Sequence, residues 1–441
     1  VLGPFLFLAT YFALSPAARG EQPAETFIRL TVDATPAPKP ALRYRLLPGL
    51  DELTPGNPIP NYLKCFFDQD FSSREETLSR EALKLADRAA RMDKPDWQLL
   101  PRLKTDGIGL LLPDLQKMRS IASSLQVRFK EEAAARRFDD ALVTARTMFA
   151  LSRHMSEHPT IIGHLVAVAI AYVTIAPLEE MLEQPGCPNL YWALAALPRP
   201  FAPMGPGIEG ERVLMDGEFK NMLHKIVGDD EAPMTPQQVM AIVRRFERLL
   251  EFDSSQPGNI SGREYVMTRA KDPKFMAAAR KRLVEAGLSE AKLNSFPPEQ
   301  IVLLDEKREF QARRDELFKL TYLPCWQAVK EAAKFERKMK ANRAPLDGLL
   351  PSIRFIKVHG RLDQRLALLQ CVEALRMYAA DHGGALPEKL EDVGVPLPAD
   401  PFTGKPFLYK LEGATAHVRG TPPEGETQAA YNIHYEITIR K

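Results

Sequence analysis

The run from His154 to His158, His-Met-Ser-Glu-His, holds the residues best spaced for chemistry. On an α-helix, side chains four apart share a face, so these two imidazoles could grip one zinc ion while Glu157 activates a metal-bound water. The chain has 8 histidines in 441 residues, so a chance pairing at this spacing is uncommon. Two features oppose the reading. Pro159 follows His158 directly and pushes it away from helical geometry where the second ligand would need to be fixed. The flanking sequence also offers no identifiable third ligand. The competing reading is a polar helix end near the surface. On balance the sequence assigns no catalytic, cofactor-binding or metal-ligating residue.

The His154, Glu157 and His158 pattern, HxxEH, resembles the inverzincin zinc proteases. That resemblance implies a zinc-dependent hydrolase, although the rest of the family's sequence is absent around it. The nucleophile elbow GxSxG, the phosphate-binding P-loop and the dinucleotide fingerprint GxGxxG are all missing. Cys65, Cys187, Cys325 and Cys371 form no CxxC pair, which excludes a zinc ribbon or thioredoxin motif. Three disulfide connectivities and four buried free thiols both stand as expectations. Cys65, in Tyr-Leu-Lys-Cys-Phe-Phe, has apolar neighbours that favour a protonated, inert thiol.

The elements that would position such groups are mostly helices. Hydrophobic residues make up 45% and charged residues 26%, an ordinary globular balance. The 59 basic and 57 acidic residues leave a net charge of +2, too small a field to draw the chain to nucleic acid. Val1 to Leu14 is apolar, and Ser15, Ala17, Ala18 and Gly20 follow. Residues 1–20 therefore read as a secretory signal cleaved before Glu21, which places the protein outside the cytoplasm, in the periplasm, envelope or medium. An uncleaved membrane anchor and a buried apolar helix are the alternatives for the same run. Residues 21–59 read as an extended Pro-rich segment with short strands, one at Ile28, Leu30 and Val32 and another at Leu42, Tyr44 and Leu46.

Residues 60–345 carry helical periodicity. Ser73 with Glu76 forms a capping box, as do Thr235 and Gln238 around Pro236. Ile161 to Leu178 lacks formal charge and carries Gly163, Ala167 and Ala171 as a small-residue stripe. It reads as a buried helix, with a membrane span as the alternative. Phe138, Asp139, Asp140, Ala141 and Ala145 resemble the second half of a tetratricopeptide repeat, which implies helical hairpins and a protein or peptide partner.

Residues 350–441 change character. Leu366, Leu369, Val372 and Leu375 set out an amphipathic helix from about 361 to 382, ended by Gly383 and Gly384. A loop at Asp400 to Pro406 follows, with Gly404 the residue best able to take a positive φ. Three alternating runs then predict a three-stranded antiparallel sheet under the helix. The expected fold class is therefore mainly α, a helical-hairpin array with a small α+β module at the end. Asp400, Pro401, Phe402, Gly404, Pro406 and Phe407 resemble the loop of type II secretion pseudopilin heads, and "DHGGALPEKLEDV" stands for that family's element after the long helix. The departures are Lys405 in place of the usual Asn and the absence of an apolar assembly helix leading into the head. No carboxylate cluster stands for the calcium site of some heads. The leader, "RYRLLPGLDELTPGNP" and this ending together resemble large secreted proteins of unknown function encoded in planctomycete genomes. These resemblances imply an exported, non-enzymatic interaction or scaffold protein of the cell envelope. The alternatives are the zinc hydrolase and a membrane-anchored envelope protein held by its N-terminal segment.

Overall fold

A computed structural model describes residues 25–67, 78–227, 232–250, 261–341 and 344–440. The leader and the Ser73–Glu76 cap lie outside the described residues.

Alternating apolar and polar side chains produce four strands: β1 (Thr26–Val32), β2 (Leu408–Glu412), β3 (Thr415–Arg419) and β4 (Ile433–Ile439). Their order is β1-β4-β3-β2. The C-terminal three form the expected antiparallel meander. The sheet is nevertheless four-stranded and mixed, because β1 pairs in parallel with β4, from Thr26 opposite Ile433 to Val32 opposite Ile439. The reason is an edge: the last strand of a meander presents unpaired backbone groups, and β1 satisfies them. Leu30 and Val32 enter the core with Ile433, Tyr435, Ile437 and Ile439. The second strand expected at Leu42 to Leu46 is instead a series of turns, in which Leu46 is buried and Leu42 exposed.

Fifteen α-helices are seen among the described residues: α1 (Ile59–Lys64), α2 (Arg80–Ala89), α3 (Leu100–Asp106), α4 (Asp114–Ala134), α5 (Phe138–Ser156), α6 (Ile161–Leu182), α7 (Tyr191–Ala195), α8 (Gly205–Val227), α9 (Pro236–Leu250), α10 (Gly262–Ala270), α11 (Pro273–Glu285), α12 (Glu290–Ser295), α13 (Pro298–Phe318), α14 (Cys325–Ala341) and α15 (Arg354–Asp381). Ser79 caps α2 by accepting from the Ala82 amide. The Thr235 cap forms as expected: Thr235 N–H donates to Gln238 at 2.7 Å, and the Gln238 amide to Thr235 Oγ1 at 3.3 Å.

Helices α4, α5 and α6 pack on one another, and α15 lies between them and the inner face of the sheet. One apolar core runs from Leu30 through Phe129, Phe149 and Leu178 to Ile437. Helices α8, α9 and α13 enclose a second core around Phe219, Phe246 and Phe310. Helix α6 is long and apolar enough to cross a membrane, yet 67% of its most apolar stretch is buried inside the protein. Pro177 stands within it and lacks an amide, which leaves the Val173 carbonyl without its usual partner. Gln126 Nε2 from α4 donates to that carbonyl at 3.1 Å, so the helix keeps its course.

Helix α15 begins at Arg354, a turn or two earlier than its periodicity suggests, and ends where expected. Gly383 and Gly384 take φ of +61° and +89°. The loop before β2 is built on Asp400. Its buried carboxylate accepts from the amides of Phe402 (3.0 Å) and Thr421 (2.7 Å) and from Gln364 Nε2 of α15 (3.0 Å). Gly404 has φ +68°, the conformation expected of it.

Candidate functional site

The HxxEH residues end α5. The helix stops at Ser156, and Glu157 is its half-buried cap, so Pro159 acts as expected. His154 Nδ1 lies 3.0 Å from the Tyr62 hydroxyl of α1, and its carbonyl accepts from Trp97 Nε1 at 3.1 Å. His158 Nδ1 lies 2.9 Å from Thr160 Oγ1, and Trp97 meets the ring edge-on. Thr160 in turn caps α6. The His158 ring lies on Gly163, where an added Cβ would stand 2.3 Å from Nδ1. The two imidazoles therefore face different partners and join helix ends together. His158 is buried and His154 half-buried, and desolvation pushes each down to about 4, which keeps them neutral at pH 7.

The four cysteines are free, and three are buried. Burial pushes Cys65 up to about 11 and Cys187, Cys325 and Cys371 up to about 12, so all four are protonated thiols at neutral pH.

A different group converges on the outward face of the sheet. His434 and Glu436 stand two apart on β4, and His417 of β3 is paired with Glu436 across the ladder. Residues two apart on a strand share a face. One ligand atom from each of the three lies within 4.8 Å of the others. His417 Nδ1 is 3.0 Å from His434 Nε2. The far nitrogen of His434, Nδ1, lies 3.2 Å from Glu25 Oε2, just before β1. His417 Nε2 lies 3.7 Å from a Glu412 carboxylate oxygen. Arg29 of β1 pairs with Glu436 at 2.7 Å, and this hydrogen bond holds that carboxyl below the usual range. His434 is buried, while His417 and Glu436 are partly open to solvent. The sequence carried half of this signal. Alternation in "TAHVR" and "IHYEITI" puts all three residues on polar faces, but the register between the strands is a tertiary fact.

A surface cleft of ≈ 410 Å³ opens between the N-terminal turns and the α4–α5 corner. Arg43, Tyr44, Arg136, Arg137, Phe138 and Asp139 line it. The Arg43 guanidinium lies 5.3 Å over the Tyr44 ring, and Arg137 pairs with Asp140 at 3.1 Å. Three of the residues at the tetratricopeptide-like turn, Phe138, Asp139 and Asp140, thus sit at its wall.

No protein-family model matches the chain, and no match was found among curated proteins or solved structures.

Proposed function

We propose that the chain is an exported, non-enzymatic interaction or scaffold protein of the cell envelope that holds an extended peptide segment of a partner protein. The carrying observation is the cleft beside the α4–α5 corner. It brings a tyrosine, a phenylalanine and three arginines together on the surface, the residue types that dominate binding energy at interfaces. Both signs of charge line it, so it suits a segment carrying acidic side chains near an apolar one. The neutral, hydrogen-bonded state of His154 and His158 supports the same reading over a hydrolase built on them. Export rests on the apolar run Val1 to Leu14 and the small residues after it.

The test is selection of displayed random peptides on the purified protein, followed by affinity measurement with Tyr44→Ala and Arg137→Glu. Selected peptides should share acidic positions and lose at least tenfold in affinity on either change. Failure to select any peptide, or peptides that bind the variants equally well, would remove the proposal. Mass spectrometry of the native N-terminus separates a cleaved leader, which begins near Glu21, from an anchor that retains Phe5 to Leu14.

A further inference from the structure

The polar face of the sheet carries the geometry of a metal centre. Zinc bound tetrahedrally at 2.0–2.1 Å from two imidazole nitrogens holds those nitrogens about 3.3 Å apart. His417 Nδ1 and His434 Nε2 face each other at 3.0 Å, a few tenths short of that spacing. Glu436, ionised and on the same face, supplies a carboxylate oxygen from the same small space.

The surroundings fit the donors. A metal-bound imidazole commonly directs its other nitrogen to a carboxylate, which fixes the tautomer and raises the basicity of the ligand. His434 has such a partner in Glu25, 3.2 Å from its Nδ1, and the Glu412 carboxylate stands 3.7 Å from His417 Nε2, near enough to become one after a small side-chain movement. With Nδ1–H donated to Glu25, His434 presents its Nε2 lone pair to the cluster. A cation would displace the proton shared between the two rings and turn the His417 N–H outward to Glu412. All the ligands stand on paired strands, whose spacing is held by the ladder. Arg29 is the competitor. Its exposed side chain occupies the Glu436 carboxylate and is free to swing into solvent.

We propose that His417, His434 and Glu436 bind a divalent transition-metal ion, zinc by preference, with a fourth position open to water. Two nitrogens and one oxygen suit zinc and its late first-row neighbours and do not suit calcium or magnesium, which take oxygen. The ion joins β3 to β4, and the Glu25 carboxylate, just before β1, supports it through His434.

The experiment uses the untagged full chain, stripped with chelator and titrated with zinc by calorimetry and with cobalt(II) by visible absorption. One equivalent should bind, and cobalt should give the intense bands of a four-coordinate site. His434→Ala and Glu436→Gln should each weaken zinc at least a hundredfold with an unchanged circular-dichroism spectrum. Glu25→Gln should weaken it tenfold to a hundredfold. Arg29→Ala should bind at least as tightly as the parent. His154→Ala should bind as the parent does. Absence of stoichiometric zinc in the parent, binding indifferent to Glu436→Gln and His434→Ala, or binding lost with His154→Ala would each overturn the proposal.

Discussion

His154 and His158 show how a residue pattern can carry the shape of one chemistry and serve another end. Burial lowers both imidazoles to about 4, against about 6.5 in an unfolded chain. The folded state thus resists protonation. Its stability from these groups is full above pH 6.5 and is lost as pH falls toward 4. Each group can contribute on the order of 3 kcal/mol to that loss. Urea midpoints measured from pH 7 to 4 should fall steeply, and His158→Gln should flatten the slope. An equal slope in parent and variant would refute the assignment. Gly404 makes a second case at this scale. Its positive φ was legible from a loop of turn residues. Its neighbour was not: a Cβ there would stand 2.9 Å from Trp326 Nε1, on α14. Gly404→Val combines strain with that clash and should cost about 1–3 kcal/mol, read as a drop in thermal midpoint. The unread part is the same in both cases. Local sequence shows what a residue can do, while its partner, Tyr62, Trp97 or Trp326, comes from another stretch of chain.

Elements were legible where local signals agreed and lost where tertiary contact overrode them. Thr235, Pro236 and Gln238 marked a helix start because the cap is made within one turn. The three C-terminal strands were legible from alternation. The parallel partner of the last one was not, since β1 lies at the other end of the chain. Helix α8 went unrecognised because Gly205, Gly207, Gly210 and Gly217 disguise it as a loop. The glycines allow close crossings. A Cβ on Gly210 would lie 2.0 Å from the Pro159 carbonyl oxygen, and one on Gly207 2.9 Å from that of Thr160. By propensity alone, Gly→Ala inside a helix gains about 1 kcal/mol. Gly210→Ala should instead destabilise by about 1–3 kcal/mol, because backbone must move to admit the methyl. Gly205→Ala, with open space at its Cβ, should be neutral or slightly stabilising. Paired chemical denaturation of the two variants decides the matter. The same sign for both would mean that packing does not set these positions.

At the scale of the described molecule, the segment after β1 and the C-terminal module are locked together through α15. Arg376 and Glu373 are fully buried and paired at 2.8 Å. Arg376 donates to the carbonyls of Asp33 (3.0 Å) and Cys187 (2.8 Å) and to Thr35 Oγ1 (2.9 Å). Glu373 accepts from the Leu190 amide, and its carbonyl accepts from Asn189 Nδ2. One helix thus holds the segment after β1 and the loop after α6. On the sheet side, Glu179 of α6 pairs with Arg365 at 2.7 Å and accepts from the Tyr435 hydroxyl. A charge buried without its partner costs several kcal/mol, so this arrangement only works when all three segments are present. The pilin-like reading of residues 350–441 treats them as a unit of their own. The contacts lead to a different expectation for a fragment of those residues. It would lack β1, leaving β4 with an open edge, and would strip Arg376 of its partners Asp33, Thr35 and Cys187. Expressed alone, it should be largely unfolded or aggregated, with a poorly dispersed NMR spectrum. Co-expression with residues 25–343 should return a soluble 1:1 complex, because the missing strand and the Glu179 and Cys187 contacts are restored. A well-dispersed spectrum from the isolated fragment would show instead that α15 and the meander carry enough core to fold without β1 and the Glu179 and Cys187 contacts.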